Sequence, residues 1–506
     1  MGIRIDIKEK DLKILLALLQ QFLPNTLVWA FGSRVKFTAK PTSDLDLVAF
    51  INEAQKMSFS LLKDALAESD LPFRVDLHDW NDIPENFKKN IEGSFVVIQN
   101  EKVKEFPNNW KVFKLGDFAE INPKISLKQG QVYSFVEMKD LDATYKYVSP
   151  SIKKELRGGS KFQNGDTLFA RITPCLENGK ICQVKNLENN LGFGSTEFLV
   201  FRGRENVSDS DFVYYLSRSE FVKNNAIQLM TGSSGRQRVE KSTLAELEII
   251  VPNDIETQIL IAQTLSSLDD KIELNLQINQ TLEAMAQALF KEWFVDFKFP
   301  GFDGVLVDGL PRGWRMGKVK EMYKTTSGGT PSRAKEEYYI DGVINWVKSK
   351  ELNGNFIFDT EEKITETAVN NSSTKIIPRH SVLLAMYGAT VGEYAITAKE
   401  TTCNQAICAV IENGSYPFTY FFEFFKINKN SIIGQASGSA QQNISQALIQ
   451  QLDILVPPIE VVREYHSIVE SMFIKMESNL SINQTLIETR DTLLPRLMSG
   501  RIKTEK

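Results

Sequence analysis

An eight-residue string occurs twice in this 506-residue chain: residues 275–282 read NLQINQTL and residues 479–486 read NLSINQTL, identical at seven of eight positions. A duplication constrains the fold strongly, because each copy must build the same local structure and the two must then be placed against each other. The matching extends outward. LEIIVPNDIETQ, ending at Gln258, corresponds to LDILVPPIEVVR, ending at Arg463. Further upstream, TGSSGRQRV (residues 231–239) stands against ASGSAQQNI (residues 436–444), and YSFVEMKDLDA from Tyr133 against INWVKSKELNG from Ile344.

Each copy has the same inner order. A Trp-containing segment (NNWKVFKLGDF, RGWRMGKVKEM) opens it, a stretch rich in β-branched and aromatic residues with Gly punctuation follows, and helical periodicity closes it. The β-rich parts span residues 106–252 and 301–457, the second with its dense β region from residue 310. The segments after them, residues 253–300 and 458–506, predict helices of about forty residues, or roughly 60 Å. In the first, Leu265, Leu268, Ile272, Asn275, Asn279, Leu282, Ala286 and Leu289 recur at alternating steps of three and four. In the second, Val469, Met472, Met476, Asn479, Asn483, Leu486, Arg490 and Leu493 hold the equivalent places, all offset by 204. Two such stripes fit an antiparallel coiled coil with a pseudo-twofold axis, its Asn residues setting register. The competing reading is two core helices packed separately, each on its own domain.

Apolar residues at 42% and charged residues at 24% describe a chain able to bury cores, and 506 residues call for several of them. No stretch of about 18 uncharged apolar residues and no signal-peptide pattern occurs, so a cytoplasmic protein without a membrane span is expected. Cys175, Cys182, Cys403 and Cys408 lack C-x-x-C spacing and only three histidines accompany them, which points to structural thiols rather than zinc or disulfides. The net charge of −5 is unevenly spread: residues 106–252 carry 20 basic and 17 acidic side chains, whereas residues 253–300 carry 3 and 8. A β-rich module of net +3 is a modest phosphate binder, so partner subunits are expected to supply part of any grip on DNA.

Two related domains braced apart by rods suit the reading of two short DNA sequences at fixed separation, and their divergence implies different half-sites. On the motifs quoted, residues 106–506 resemble the specificity subunits of type I restriction-modification enzymes. The resemblance implies two target recognition domains and two spacer helices. It implies double-stranded DNA, two SAM-dependent methyltransferase subunits and ATP-driven restriction/translocase subunits as partners. SAM, ATP and Mg²⁺ then belong to those partners and this part of the chain needs no cofactor. Consistently, residues 106–506 contain no Walker-type, dinucleotide-binding or NPPY-like motif. Candidate DNA contacts in the first recognition domain are Glu137, Met138 and Lys139, residues 171–180 with Arg171 and Lys180, and Arg236, Gln237 and Arg238. Arg can bond guanine bidentately and Gln adenine. In the second they are Lys348, Ser349 and Lys350, the loop from Tyr387 to Thr390, and Gln441, Gln442 and Asn443.

The first 105 residues lie outside the repeat. VWAFGSRVKFTAKPTSDLDLVAF from Val28 reads as a strand, a Gly-Ser turn, a helix-length gap and a strand carrying Asp44 and Asp46 on one face. FRVDLHDWNDIP from Phe73 adds Asp76 on a later strand, with His78 and Asp79 expected in a surface turn. This pattern resembles the minimal nucleotidyltransferases of the DNA polymerase β superfamily that act as antitoxins. The resemblance implies that Gly32 and Ser33 hold a nucleoside triphosphate, that Asp44 and Asp46 bind Mg²⁺, and that Asp76 is a third metal ligand and helps activate the attacking hydroxyl. The overall expectation is an α+β multidomain chain: a small α/β nucleotidyltransferase domain, then two β-rich recognition domains separated by two long antiparallel helices. Two other functional readings remain open at this point: an enzyme transferring AMP to a protein partner with a targeting scaffold, and a coiled-coil adaptor without nucleic-acid contact.

Overall fold

The computed structural model describes residues 5–40, 43–52, 55–99, 107, 109–233, 235–435 and 443–502. Contacts divide the chain into two compact units, residues 1–110 and 111–506.

In the first unit a four-stranded sheet runs in the order β3 (Val75–Asp79), β2 (Leu45–Ala49), β1 (Val28–Phe31), β4 (Phe95–Gln99). β1 is antiparallel to β2 and β4, while β2 and β3 are parallel and in register, Asp46 beside Asp76. The helices α1 (Glu9–Phe22) and α2 (Lys56–Ala67) bury Leu15, Leu19, Phe59 and Leu62 together with Leu45 and Leu47 of β2. The segment between the Gly-Ser turn and β2 is made of turns instead of a helix over its described residues. Asp79 also departs from expectation: it ends β3, is buried at 6% exposure, and accepts the Asn81 backbone N–H at 3.0 Å, capping a 3₁₀ turn from the inside. His78 is exposed on the same strand.

The second unit carries the duplication. Each β-rich domain is closed by pairing its opening strand with its last, Trp110–Lys114 with Glu248–Pro252 and Arg315–Lys318 with Asp453–Val456. An ion pair fastens each closure, Lys114–Glu246 at 2.6 Å and Lys318–Asp453 at 2.7 Å, the lysines equivalent and the acids two positions apart. Each domain then has a five-stranded sheet of the same order. In the first it runs Ala119–Ile121, Phe198–Gly203, Thr167–Ala170, Ile181–Val184, Tyr147–Val148; in the second, Tyr323–Ser327, Ile407–Glu412, Val382–Ala385, Tyr394–Thr397, Phe356–Ile357. A smaller sheet lies beside it. Its central strand is Val132–Val136 in one copy and Ile344–Val347 in the other, each with one parallel and one antiparallel neighbour.

The two long helices are continuous from Ile255 to Phe294 and from Ile459 to Leu497, and they pack on each other along their length. Asp254 caps the first by accepting the Thr257 N–H at 2.8 Å. All seam residues named above are buried or half-buried. The Asn residues confirm the antiparallel direction. Asn275 Nδ2 donates to Asn483 Oδ1 at 2.7 Å and Asn479 Nδ2 to Asn279 Oδ1 at 2.8 Å. Asn279 Nδ2 donates to the Met476 carbonyl and Asn483 Nδ2 to the Ile272 carbonyl, both at 3.2 Å. Shifting every residue by the repeat interval converts each bond into its twin, so a local pseudo-twofold axis passes at the level of Gln277 and Ser481. The reading of two separately buried helices is thereby excluded.

The symmetry breaks where the rods meet the domains. Arg490, 1% exposed, donates to Asp269 Oδ1 at 2.7 Å and to the Thr144 carbonyl at 2.9 Å, while Tyr215 donates its hydroxyl to Asp269 Oδ2 at 2.5 Å. Lys146, also buried, reaches Ser266 at 2.8 Å and Asp211 at 2.9 Å. One polar cluster thus binds the first domain to both helices. The residues 204 positions away from Asp269 and Arg490 are Phe473 and Ala286, buried in an apolar cluster with Phe290, Tyr420 and Tyr465. The second domain is held there by hydrophobic contact, and farther along the rods by ion pairs of its own, Arg379 with Glu477 at 2.8 Å and Lys426 with Glu283.

Candidate functional site

The acidic site of the first unit is assembled by strand register. Parallel pairing sets Asp46 directly beside Asp76, and Asp44 precedes β2 by one residue. Burial raises the Asp46 carboxyl above the usual range, and the negative charges of Asp76 and Asp44 raise it further against an opposing pull from His78. Arg74 holds Asp76 at 2.9 Å. Gly32, at φ +81°, lies so near Asp46 that an added Cβ would fall 2.3 Å from Asp46 Oδ2, so only glycine lets the turn approach the carboxylate. Mutually repelling carboxylates beside such a turn suit a divalent cation, whose charge would neutralise them. Among the described residues no three His, Cys, Asp or Glu side chains already close into a metal shell. Sequence reasoning misses Arg34, although it directly follows the Gly-Ser pair. It is buried over the Phe73 ring at 4.2 Å, with Nε and Nη2 both donating to the Ser43 carbonyl at 3.0 and 2.6 Å. It fixes the chain one residue before Asp44.

In the first recognition domain the three predicted segments converge. Glu137 follows the strand Val132–Val136 and leads into the 3₁₀ turn Met138–Asp140. The Lys180 ammonium donates to the Met138 carbonyl at 2.9 Å, joining residues 171–180 to that turn. The Val239 N–H donates to the Arg171 carbonyl at 3.0 Å and the Thr173 N–H to the Gln237 carbonyl at 3.1 Å, which adds the Arg-Gln-Arg segment. All but one of these charged side chains are already partnered. Lys139 and Lys154 lie 2.6 and 2.8 Å from the Glu137 carboxylate and hold its pKa down to about 2. Arg171 pairs with Glu240 at 2.8 Å, and Arg238 forks onto Glu197 at 2.8 to 3.0 Å. Arg236 is exposed, and among the described residues its guanidinium has no carboxylate partner. Nothing in local sequence announces Glu197 or Glu240 as partners, since the fold alone brings them there.

The second domain repeats the framework. Lys348 and Ser349 open the 3₁₀ turn Ser349–Glu351, Lys348 lies 2.9 and 3.0 Å from Glu361 and Glu362, and Lys350 lies 2.7 Å from Glu361. The Ile444 N–H donates to the Met386 carbonyl at 2.7 Å, bringing Tyr387, 37% exposed, to the segment after Asn443. Gln441 and Gln442 lie outside the described residues. Cys182, Cys403 and Cys408 are buried free thiols, burial pushing Cys182 and Cys408 up to about 12, and Cys175 is free and half-buried. Among the described residues no helix is long and apolar enough to cross a membrane.

Comparison with known proteins agrees with this geometry. A family model described as the type I restriction modification DNA specificity domain matches twice, over residues 107–284 and 311–488. The polymerase β nucleotidyltransferase model matches residues 15–103. The "Type I restriction enzyme HindI specificity subunit" of Haemophilus influenzae is 29% identical over 465 residues, covering 78% of this chain and 100% of that protein. The "Type I restriction enzyme MjaIX specificity subunit" of Methanocaldococcus jannaschii is 27% identical, covering 79% of this chain and 95% of that protein. At the N-terminus the "Probable protein adenylyltransferase MntA" of H. influenzae is 48% identical over 106 residues, covering 21% of this chain and 93% of that protein. The chain belongs to the family of type I restriction-modification DNA specificity subunits, with a nucleotidyltransferase domain of the polymerase β family at its N-terminus.

Proposed function

We propose that this chain reads an asymmetric, bipartite sequence in double-stranded DNA and scaffolds two methyltransferase subunits and the restriction/translocase subunits of a type I complex. The observation that carries the reading is the Asn-registered antiparallel helix pair, which holds two unlike recognition domains about a pseudo-twofold axis. Such an axis can lie on that of a duplex, so rod length fixes the distance between half-sites. The proposed division is 1–105 for the nucleotidyltransferase domain, 106–252 and 301–457 for recognition, and 253–300 and 458–506 for the spacer helices. Contacts to DNA are assigned to the two loop surfaces around Glu137, Lys139, Arg171, Lys180, Arg236, Gln237 and Arg238, and around Lys348, Ser349, Lys350, Tyr387, Gln441 and Gln442. SAM and ATP chemistry belongs to the partner subunits. Mapping base modification in a methylation-free host that carries this chain and its methyltransferase partner tests the proposal. A bipartite modified motif is expected, and modification without one rejects it.

A second reading concerns the N-terminal domain alone and rests on Asp46 standing beside Asp76 next to the Gly32 turn. In this reading Gly32 and Ser33 would hold the triphosphate and Asp44, Asp46 and Asp76 would hold Mg²⁺, whose positive charge would offset the negative charge of the reacting phosphates. The acceptor is a hydroxyl on a protein partner. Incubating the full chain with labelled ATP, Mg²⁺ and candidate partners should label one of them, and Asp44→Asn with Asp46→Asn should abolish the label.

A further inference from the structure

The two recognition domains share a backbone at the loop surface but carry opposite charge where its 3₁₀ turn begins, while Lys139 and Asp140 are matched in sign by Lys350 and Glu351. Glu137 and Lys348 each follow the central strand of the smaller sheet. Val136 pairs in parallel with Gly194 in the first domain, and Val347 with Cys403 in the second. Their backbone angles nearly coincide, φ −90° and ψ 158° against φ −100° and ψ 149°. The turns close in the same way, by the Asp140 N–H to the Glu137 carbonyl at 3.1 Å and the Glu351 N–H to the Lys348 carbonyl at 2.9 Å. The next segment is equivalent too. The Arg171 N–H donates to the Glu197 carbonyl at 3.0 Å, and the Met386 N–H to the Ala406 carbonyl at 2.8 Å.

The side chains on this common frame are opposite. Glu137 sits between Lys139 and Lys154, and Lys348 between Glu361 and Glu362. The strip beyond differs in another way: the charged Arg171, Glu197, Arg238 and Glu240 of the first domain are matched by the uncharged Met386, Ala406, Asn443 and Ser445 in the second. Backbone geometry cannot require the sign of the charge, because both signs are carried on one geometry. Glu137 and Lys348 are themselves 25% and 16% exposed, but the groups that hold them lie at the surface, Lys139 and Lys154 at 77% and 44% and Glu361 at 56%. Partners as exposed as these are held loosely and can give way to an incoming group.

We infer that Glu137 and Lys348 are equivalent base-reading residues of opposite polarity, and that their inversion is one source of the asymmetry between the half-sites. This rests on the DNA-reading proposal above. An ionised carboxylate only accepts, so Glu137 selects an exocyclic amine in the major groove, the N4 of cytosine or the N6 of adenine. An ammonium only donates, so Lys348 selects the O6 and N7 acceptors of guanine. Lys139, Lys154, Glu361 and Glu362 keep each reader ionised and extended until a base replaces them.

The test is selection of duplexes from a library of randomised DNA by the full chain assembled with its methyltransferase partner. Wild type is compared with Glu137→Gln, Glu137→Lys, Lys348→Gln and Lys348→Glu, each checked for unchanged thermal unfolding. Glu137 variants should change the preferred base at one position of one half-site, with roughly a ten-fold loss for the original base, and leave the other half-site intact. Lys348 variants should do the converse. A uniform loss of affinity with unchanged preferences makes the two residues phosphate contacts and overturns the inference, as does a single substitution that alters both half-sites. A wild-type selection without any two-part motif is a separate outcome, which rejects the DNA-reading proposal itself.

Discussion

Replacing Arg490 by Met would remove the cation that three parts of the molecule share. Asp269, 2% exposed, would keep the Tyr215 hydroxyl as its one side-chain hydrogen-bond partner among the described residues, with the Arg218 cation acting on it through space, and the Thr144 carbonyl would lose a donor. Breaking one side of a buried ion pair costs about 3–5 kcal/mol, because the remaining charge is left in a low-dielectric site. The loss should be local, since among the described residues the second domain is held by an apolar cluster and by the ion pairs Arg379–Glu477 and Lys426–Glu283, none of which bonds to Asp269 or Arg490. Hydrogen exchange reads local opening directly. With tenfold per 1.4 kcal/mol, 3 kcal/mol predicts exchange roughly a hundred-fold faster at residues 144–147 and in the helix Ser210–Arg218. The helix Phe418–Gly434 in the other domain should be unaffected. Adding Asp269→Leu to Arg490→Met should recover much of the loss, because no unpaired charge then remains. Unchanged exchange at residues 144–147 in Arg490→Met, or a double variant worse than the single one by the full amount again, would refute the idea that this pair clamps the domain to the rods.

Glu423 is fully buried with neither carboxylate oxygen hydrogen-bonded, and burial, with Glu283 nearby, lifts its pKa to about 7 against the partial relief of Lys426. A raised carboxyl pKa means that the folded state binds the extra proton, so stability should fall as pH rises from about 4.5 to 7 and level off above. Glu423→Gln should remove that slope and stabilise the protein at pH 8 by on the order of 2 kcal/mol, read from denaturant midpoints against pH. Replacing Asn279 and Asn479 by Leu should raise helix-pair stability yet admit other registers and oligomers, seen as extra species in light scattering behind gel filtration. Asp46→Asn should lower Mg²⁺-dependent nucleotide binding at least ten-fold by titration calorimetry without lowering the melting temperature, since it relieves repulsion from Asp76 and Asp44.

The parts legible in the sequence are those encoded by local repetition. The seam can be read because an a/d stripe repeats every few residues and its Asn pairs recur after 204, and the structure pairs those same side chains. The acidic site can be read because Asp44 and Asp46 sit two apart and Gly32 precedes them closely. Contacts made across the fold are not legible. Arg490 is visible as a seam position, but its bond to Thr144 spans 346 residues and no spacing rule anticipates it. The Arg-Gln-Arg loop is visible as a basic segment, whereas the occupation of Arg238 by Glu197 depends on the fold bringing that segment to the turn before the strand Phe198–Gly203. Asp79 reads as a surface turn residue because its neighbours are polar, and it is buried because its carboxylate caps the turn inward.

The most direct test of the ruler is to shorten it. Removing one heptad from each long helix, at equivalent places in the two repeats, preserves the seam and draws the recognition domains together by roughly 10 Å, about the rise of three base pairs. The modified motif should then retain both half-sites with a spacer about three base pairs shorter, or be lost where the altered helical phase prevents both domains from docking. An unchanged motif with its original spacer would contradict the account.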